Sequence, residues 1–380
     1  MTVHASTKGL NLPILGKTSA GIHNHKVPEH VALLGADYPG VKPKIYVQVG
    51  DEVKRGQALF EDKRTPGVQF TSPGFGRIVA IHRGDRRSLE SIVIALDPAD
   101  QNGQLVEGQS LSFNTFQDKS PTLLNGDEVR SLLLESGQWT AIRSRPFGSV
   151  ANPSVTPNSL FVTAMDTNPL APRVKDILEG REQEFETGLV VLRKLLEGKV
   201  YVCTADDNVV QVPSFCSHEK FKGPHPAGNV GHHIHRLDPV NRHKTVWYIN
   251  YQDVIATGFL FNSGSLDFRR VVSLAGPAVS EPRQIWTRVG ASTDQMVENE
   301  DVRIVSGSIL SGRKAMGGVH GYLGRYHQQI SVIPEGRDRK FLGWLSPGKE
   351  RFSVKRLFLS TFRPNKKFSF TTTTYGSKRA

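Results

Sequence analysis

Cysteine is almost missing from this 380-residue chain, which has only Cys203 and Cys216. Two thiols cannot by themselves make a disulfide framework, a four-cysteine zinc site or an iron–sulfur cluster, and a reducing cytosolic compartment is the default for such a chain. Long apolar runs are missing as well. Hydrophobic residues make up 38% of the sequence at a mean hydropathy of −0.33. Stretches such as Gly188–Leu196 are interrupted by Arg193 and Lys194, so nothing reaches the ~18 residues of a membrane helix. Met1–Leu15 lacks a basic stretch followed by an apolar one, which leaves no secretory signal to read. Also absent are a Gly-x-Ser-x-Gly elbow, a His-Glu-x-x-His zinc motif and a Cys–His nucleophile pair. No self-sufficient catalytic centre is evident.

What is present in excess is positive charge. Lysine and arginine number 48 against 36 acidic residues, a formal +12. Twelve of the basic residues, against three acidic ones, fall between Glu335 and Ala380. That tail, at a net +9, suits an anionic partner: nucleic acid, anionic lipid or an acidic protein face. The length leaves room for two to four domains of ~100–200 residues each.

Behind an N-terminal segment, residues 1–40, the first unit spans residues 41–105 and reads as short strands and turns: Lys44–Val49, Ala58–Glu61, Gln69–Ser72 and Gly76–His82. Val49-Gly50-Asp51-Glu52-Val53-Lys54-Arg55-Gly56-Gln57-Ala58-Leu59 with Ser72-Pro73-Gly74-Phe75-Gly76 closely resembles the barrel-sandwich hybrid of biotinyl and lipoyl carrier domains. Gly50 and Gly56 bracket one turn, and Pro73-Gly74 reverses the chain again. True carriers place an acceptor lysine at the hairpin tip. Here the tip is Asp62-Lys63-Arg64-Thr65-Pro66-Gly67, with Pro66-Gly67 nearest its middle, so an unmodified structural module is expected.

Residues 106–257 change period. Asn125, Asp127 and Glu128 offer a helix start, with Val129, Leu132 and Leu133 on one face. Ser159–Ala164 is an apolar strand, Phe185, Leu189, Leu192 and Leu196 recur helically up to Gly198, and Lys199–Thr204 is the next strand. Strand, helix, strand implies a parallel sheet whose ligands sit beyond the carboxyl ends of its strands. That points to Met165-Asp166-Thr167-Asn168 and Ala205-Asp206-Asp207-Asn208. After Asp253 the pattern returns to strands (Arg269–Leu274, Gln284–Arg288, Val302–Ser306), which fits an α+β, β-grasp-like module over residues 258–333. The basic segment 334–380 alternates apolar and basic residues around Phe352, Val354 and Phe358, compatible with further strands.

Nucleotide signals fail in detail. Met165-Asp166-Thr167-Asn168-Pro169 has no glycine to let backbone amides approach a pyrophosphate. Gly307-Ser308-Ile309-Leu310-Ser311-Gly312-Arg313-Lys314-Ala315 has the glycines of a P-loop but no hydroxyl to hold Mg²⁺. The most unusual local feature is Gly223–Val240, where His225, His232, His233 and His235 crowd a glycine–proline loop. Extended backbone would turn His233 and His235 to one side, within reach of one metal ion. No carboxylate or cysteine stands at ligand spacing, so a structural or pocket-lining loop is the preferred reading.

The longer motifs resemble one family together. Lys8-Gly9-Leu10-Asn11-Leu12-Pro13-Ile14, Phe161-Val162-Thr163-Ala164-Met165-Asp166-Thr167-Asn168-Pro169-Leu170, the Gly223–Val240 loop, Tyr251-Gln252-Asp253-Val254-Ile255-Ala256, Ser273-Leu274-Ala275-Gly276-Pro277 and Ser306–Gly312 look like the A subunits of the bacterial Na⁺-translocating NADH:quinone oxidoreductase (Na⁺-NQR), in order over essentially the whole chain. The resemblance implies a multidomain α/β and α+β protein: a barrel-sandwich hybrid, a Rossmann-like domain similar to the flavoprotein subunit of respiratory complex I, and a β-grasp-like (SLBB-like) module. It implies a C-terminus shorter than the family's. Ser136–Phe147 falls near that relative's flavin loop, but with Trp139 and Arg143 in the space a flavin phosphate needs. The expectation is therefore a fold without redox cofactors of its own, on the cytoplasmic side of the bacterial inner membrane. Membrane-embedded and other subunits would handle NADH and flavins, and this chain would contribute quinone binding, assembly or both. A quinone head group, such as that of ubiquinone, asks for an apolar slot with a few donors; the candidates by residue type are Arg145, Phe147, Asp166, His225, His233 and His235, with Pro224 and Pro226 as walls. The rival from another class is a nucleic-acid-binding protein, supported by Phe352, Phe358, Phe362, Phe368 and Phe370 interleaved with basic residues.

Overall fold

A computed structural model describes residues 2–101, 107–206, 210–297, 301–337 and 341–373. Asp207 and Asn208, of the second expected ligand loop, and the basic Arg339, Lys340, Lys378 and Arg379 lie outside the described residues.

Near the N-terminus two small antiparallel sheets face each other. One orders His30–Leu34, Leu89–Leu96, Gly76–Arg83 and Glu52–Val53; the other orders Pro43–Ile45, Ala58–Asp62 and Gln69–Thr71. Phe60 stacks on Phe70 at 4.3 Å between them. This is the expected barrel-sandwich hybrid, with one correction: it takes in His30–Leu34, which pairs with Leu89–Leu96, so it begins before Val41. The supposed N-terminal segment is not a unit either. Thr2–Ala5 and Ile22–His23 each add an edge strand to a different sheet farther along the chain.

The second unit has five parallel strands, ordered Thr2–Ala5, Ser217–Lys222, Lys199–Ala205, Ser159–Ala164 and Val246–Asn250, closed by antiparallel Arg143–Arg145. The Gly126–Glu135 helix starts on a capping box in which Asn125 accepts from the Asp127 and Glu128 amides and Glu128 accepts from the Asn125 amide. Helix Glu182–Arg193 lies against helix Tyr251–Ser263. A Cβ on Gly258 would sit 1.7 Å from the Glu184 carbonyl oxygen, and one on Gly188 2.2 Å from that of Val254. Only glycines allow this approach. Tyr251–Ser263 also crosses the expected boundary at residues 257/258. It is buried nearly all round, so it lacks the one-sided apolar stripe that announces a helix.

A third sheet orders Arg313–Lys314, Val302–Ser306, Gln329–Pro334, Arg269–Ala275, Arg283–Arg288 and Ile22–His23 around Val272, Ile285, Ile304 and Ile330. The glycines after Ser306 lead into the Arg313–Lys314 hairpin strand and not into a helix, in keeping with the rejection of a P-loop. Two buried aspartates clamp the units together. Asp100 of the first unit receives Arg55 and, at 3.0 Å, Arg288 of the third sheet; Asp253 of the second receives Arg270 and, at 2.8 Å, Arg325.

Beyond Arg337 the expected strands do not form among the described residues. Pro347, Gly348 and Pro364 punctuate the segment, which has short turns of 3-10 helix and one isolated bridge, Ile14 to Phe368.

Candidate functional site at the sheet crevice

Ser159–Ala164 is flanked by Lys199–Ala205, to which the chain runs next, and by Val246–Asn250, which follows much later. Strand order therefore reverses at Ser159–Ala164, and its carboxyl end opens a crevice against that of Val246–Asn250. A cavity of about 200 Å³ lies there, lined by Thr163, Met165, Asp166, Asn168, Gly228, Asn229, Tyr248 and Asn250, with Arg143 from the edge strand and Tyr326 and Gln328 from the third unit.

Asp166 Oδ1 accepts from the Asn168 amide at 2.7 Å and from Asn168 Nδ2 at 2.8 Å. Desolvation raises the Asp166 pKa above the usual carboxylate value; the Asn168 hydrogen bonds and nearby His225 oppose the rise. The Arg143 guanidinium is set between two aromatic rings, 4.3 Å from the Tyr326 centroid and 5.4 Å from that of Tyr248, while its Nε and Nη2 donate to the Gly148 carbonyl at 3.0 and 2.7 Å. Tyr326 donates its hydroxyl to the Thr140 carbonyl at 2.8 Å, which fixes the ring. The Thr163 hydroxyl is buried and makes no hydrogen bond among the described residues. A flat, weakly polar ring with carbonyl acceptors suits such a place: aromatic walls, a fixed cation and an unused donor.

The structure gathers some of the expected residues and scatters others. Asp166 lines the crevice. His225 stands behind it, its Nδ1 3.3 Å from Thr167 Oγ1, and its loop between Pro224 and Pro226 is held by the N-terminal segment: Leu10 donates to the His225 carbonyl at 2.9 Å, and the His225 amide donates to Asn11 Oδ1 at 3.1 Å. Arg145 reaches Tyr248, 5.2 Å from its ring centroid. Phe147 is elsewhere. It is 87% exposed at a hairpin tip, beside a separate cavity of about 310 Å³ shared with Asp62, Arg64 and Thr65 of the first unit.

His233 and His235 need correcting. The loop turns into a helix, Val230–Leu237, so residues two apart diverge by about 200° instead of sharing a side. His233 is buried against Phe221, and His235 is exposed. No group of three or more potential metal ligands occurs among the described residues. Trp139, expected beside a flavin loop, is core: fully buried, edge-on to Trp247 at 5.4 Å, donating to the Ala151 carbonyl at 2.7 Å. Tyr248, Tyr326, Asn250 and Gln328 were not expected at a site. Only Tyr248 and Asn250 carried a signal, at the end of the apolar run Val246–Asn250.

Comparisons with known proteins fit this architecture. Models described as the NqrA N-terminal barrel-sandwich hybrid domain, the NqrA second alpha/beta domain and the NQRA C-terminal domain match residues 5–97, 124–266 and 271–317. Similar curated proteins include A subunits of the Na(+)-translocating NADH-quinone reductases; that of Serratia proteamaculans is 48% identical over 379 residues, covering 98% of this chain and 83% of its own length. The chain belongs to the NqrA family, the A subunits of Na⁺-translocating NADH-quinone reductases. Family members from Tolumonas auensis and Saccharophagus degradans are 47% and 49% identical, with the same coverage. Among solved structures, an NAD⁺-reducing [NiFe]-hydrogenase in the air-oxidised state overlays at a TM-score of 0.40 with 12% identity, over 59% of this chain and 49% of that one, too loosely to bear on fold or function. The relatives give no support to the nucleic-acid reading. Phe352, Phe368 and Phe370 also pack on one another at 5.6–6.2 Å, which uses up faces that stacked bases would need.

Proposed function

We propose that this chain is a peripheral subunit, on the cytoplasmic side of the bacterial inner membrane, of the complex that couples NADH oxidation and quinone reduction to Na⁺ export. Its partners are the membrane-embedded and other subunits, which handle NADH and flavins. Family membership supports this placement, and no helix among the described residues is long and apolar enough to cross a membrane. The five-stranded parallel sheet is read as Rossmann-like, akin to the complex I flavoprotein subunit, and the third sheet as β-grasp-like.

Within that role, the crevice at Asp166 takes a quinone head group such as that of ubiquinone. The observation that carries this is the aromatic-flanked Arg143 lining, together with Asp166, a cavity of about 200 Å³, which is smaller than the ~300–1,000 Å³ of sites for larger ligands and suits a single ring. His225 and the Pro224–Pro226 turn support the rim, and Arg145 packs on Tyr248. Phe147, His233 and His235 drop out of the candidate set on position.

Short-chain ubiquinone titrated onto the chain should bind saturably. Tyr248→Ala and Asp166→Asn should each weaken it about tenfold, the worth of one good contact, and Phe147→Ala should not. Absence of saturable binding would remove the quinone role and leave a scaffold within the complex.

A further inference from the structure

The segment from Phe341 to Thr373 is tied to the body and yet turns apolar side chains outward. Its far end is pinned: Phe368 donates its amide to the Pro13 carbonyl at 2.8 Å and accepts from the Leu15 amide at 3.1 Å, and the Gly336 amide donates to Thr372 Oγ1 at 2.9 Å. Its own small core is the cluster of Phe352, Phe368 and Phe370. What that core leaves outside is unusual. Phe341 is 92% exposed, Phe362 83% and Leu357 73%, and Leu345 and Val354 are exposed with them. Lys349, Lys355, Arg356, Arg363 and Lys367 are exposed among them, and none is in an ion pair with a described residue. Val354-Lys355-Arg356-Leu357 rounds a turn in which the Arg356 amide donates to the Ser353 carbonyl at 3.3 Å.

We propose that this strap is a docking face for an anionic lipid surface. Exposed apolar side chains interleaved with cations are what a bilayer interface receives: the apolar tips enter the boundary between headgroups and acyl chains, about 5–10 Å deep, and the cations meet the phosphates. A bilayer asks for no shape complementarity. The strap has neither strand nor α-helix with which to offer a protein partner a groove or an edge. The charge decides between a lipid and a generic hydrophobic partner. Between Phe341 and Thr373 there are seven basic residues and one acid, Glu350, which Lys366 neutralises.

The test is co-sedimentation of the full chain with vesicles of phosphatidylcholine alone and of phosphatidylcholine mixed with phosphatidylglycerol. The chain should bind the mixed vesicles and bind the neutral ones far less. Lys355→Glu/Arg356→Glu/Arg363→Glu should weaken binding about a hundredfold, at about fivefold for each cation lost near the surface. Phe341→Ser/Leu357→Ser/Phe362→Ser should also weaken it. Both changes lie on exposed side chains, so the urea midpoint should stay in place and separate lost docking from lost folding. Arg83, Arg86 and Arg87 form an exposed basic hairpin elsewhere; reversing their charge should leave vesicle binding intact. The proposal is overturned if the chain ignores the mixed vesicles, if the hairpin variant loses as much as the strap variants, or if the strap variants lose an oligothymidylate instead of vesicles. None of these outcomes bears on ubiquinone binding in the crevice.

Discussion

Acidification should charge an imidazole that the fold holds neutral, and His233 sets the size of the effect. Its side chain is fully buried in the Val230–Leu237 helix, with the ring 4.2 Å from that of Phe221. Nε2 is placed 2.8 Å from the Ala227 carbonyl, to which it donates, and Nδ1 has no partner among the described residues. Burial lowers the pKa to about 4; the Ala227 hydrogen bond opposes this, and His232 and His4 add to it. In the unfolded chain the same imidazole titrates near ~6.5. The unfolded state therefore takes up the proton first. The stability is whole above about pH 6.5 and drains as the pH falls towards about 4. At about pH 5 the loss is ~2 kcal/mol, rising to ~3 kcal/mol once both states are protonated. Urea unfolding of the wild type and of His233→Gln, at about pH 7.5 and about pH 5, isolates this contribution. The glutamine amide can still donate to Ala227 but cannot be protonated. His327, also lowered to about 4 by burial, acts equally in both proteins and cancels. The wild type should lose ~2 kcal/mol more than the variant on acidification; equal losses would refute a neutral, buried His233.

Asp253→Asn should cost ~3–5 kcal/mol by urea denaturation, because it leaves Arg270 and Arg325 buried without their shared counter-charge; a loss near zero would mean that solvent reaches the clamp. Gly258→Ala should destabilise by ~3 kcal/mol or more and shift the thermal midpoint, since the added methyl meets the Glu184 carbonyl oxygen at 1.7 Å.

Much of the secondary structure was legible because its signals are local. The Asn125–Glu128 capping box, the apolar run Ser159–Ala164 and the helical leucines up to Leu196 each need only a few neighbouring residues. The crevice was half legible. A strand–helix–strand pattern places a site beyond Ala164, and Asp166 is there. Its aromatic walls were not, because Tyr248 and Tyr326 come from different units and meet at Arg143 only through tertiary packing. Tyr251–Ser263 escaped for a related reason: an element buried on every side has no polar face to mark its period. The histidines misled because a glycine–proline loop does not reveal where helix begins, and that start decides which rings share a side.

Composition and local pattern were enough to determine a cysteine-poor, basic, multi-unit chain and its parallel sheet, since these depend on residue type and short-range order; the carrier-like first module and the family came from the resemblance of longer motifs. Tertiary structure alone decided which of the marked residues stand together: Arg143 against two tyrosines, His233 in the core, Phe147 outside the crevice lining, the strap's apolar tips in solvent. Long-range packing sets those distances, through buried clamps such as Asp253 and close glycine contacts such as Gly258, and no spacing along the chain encodes them.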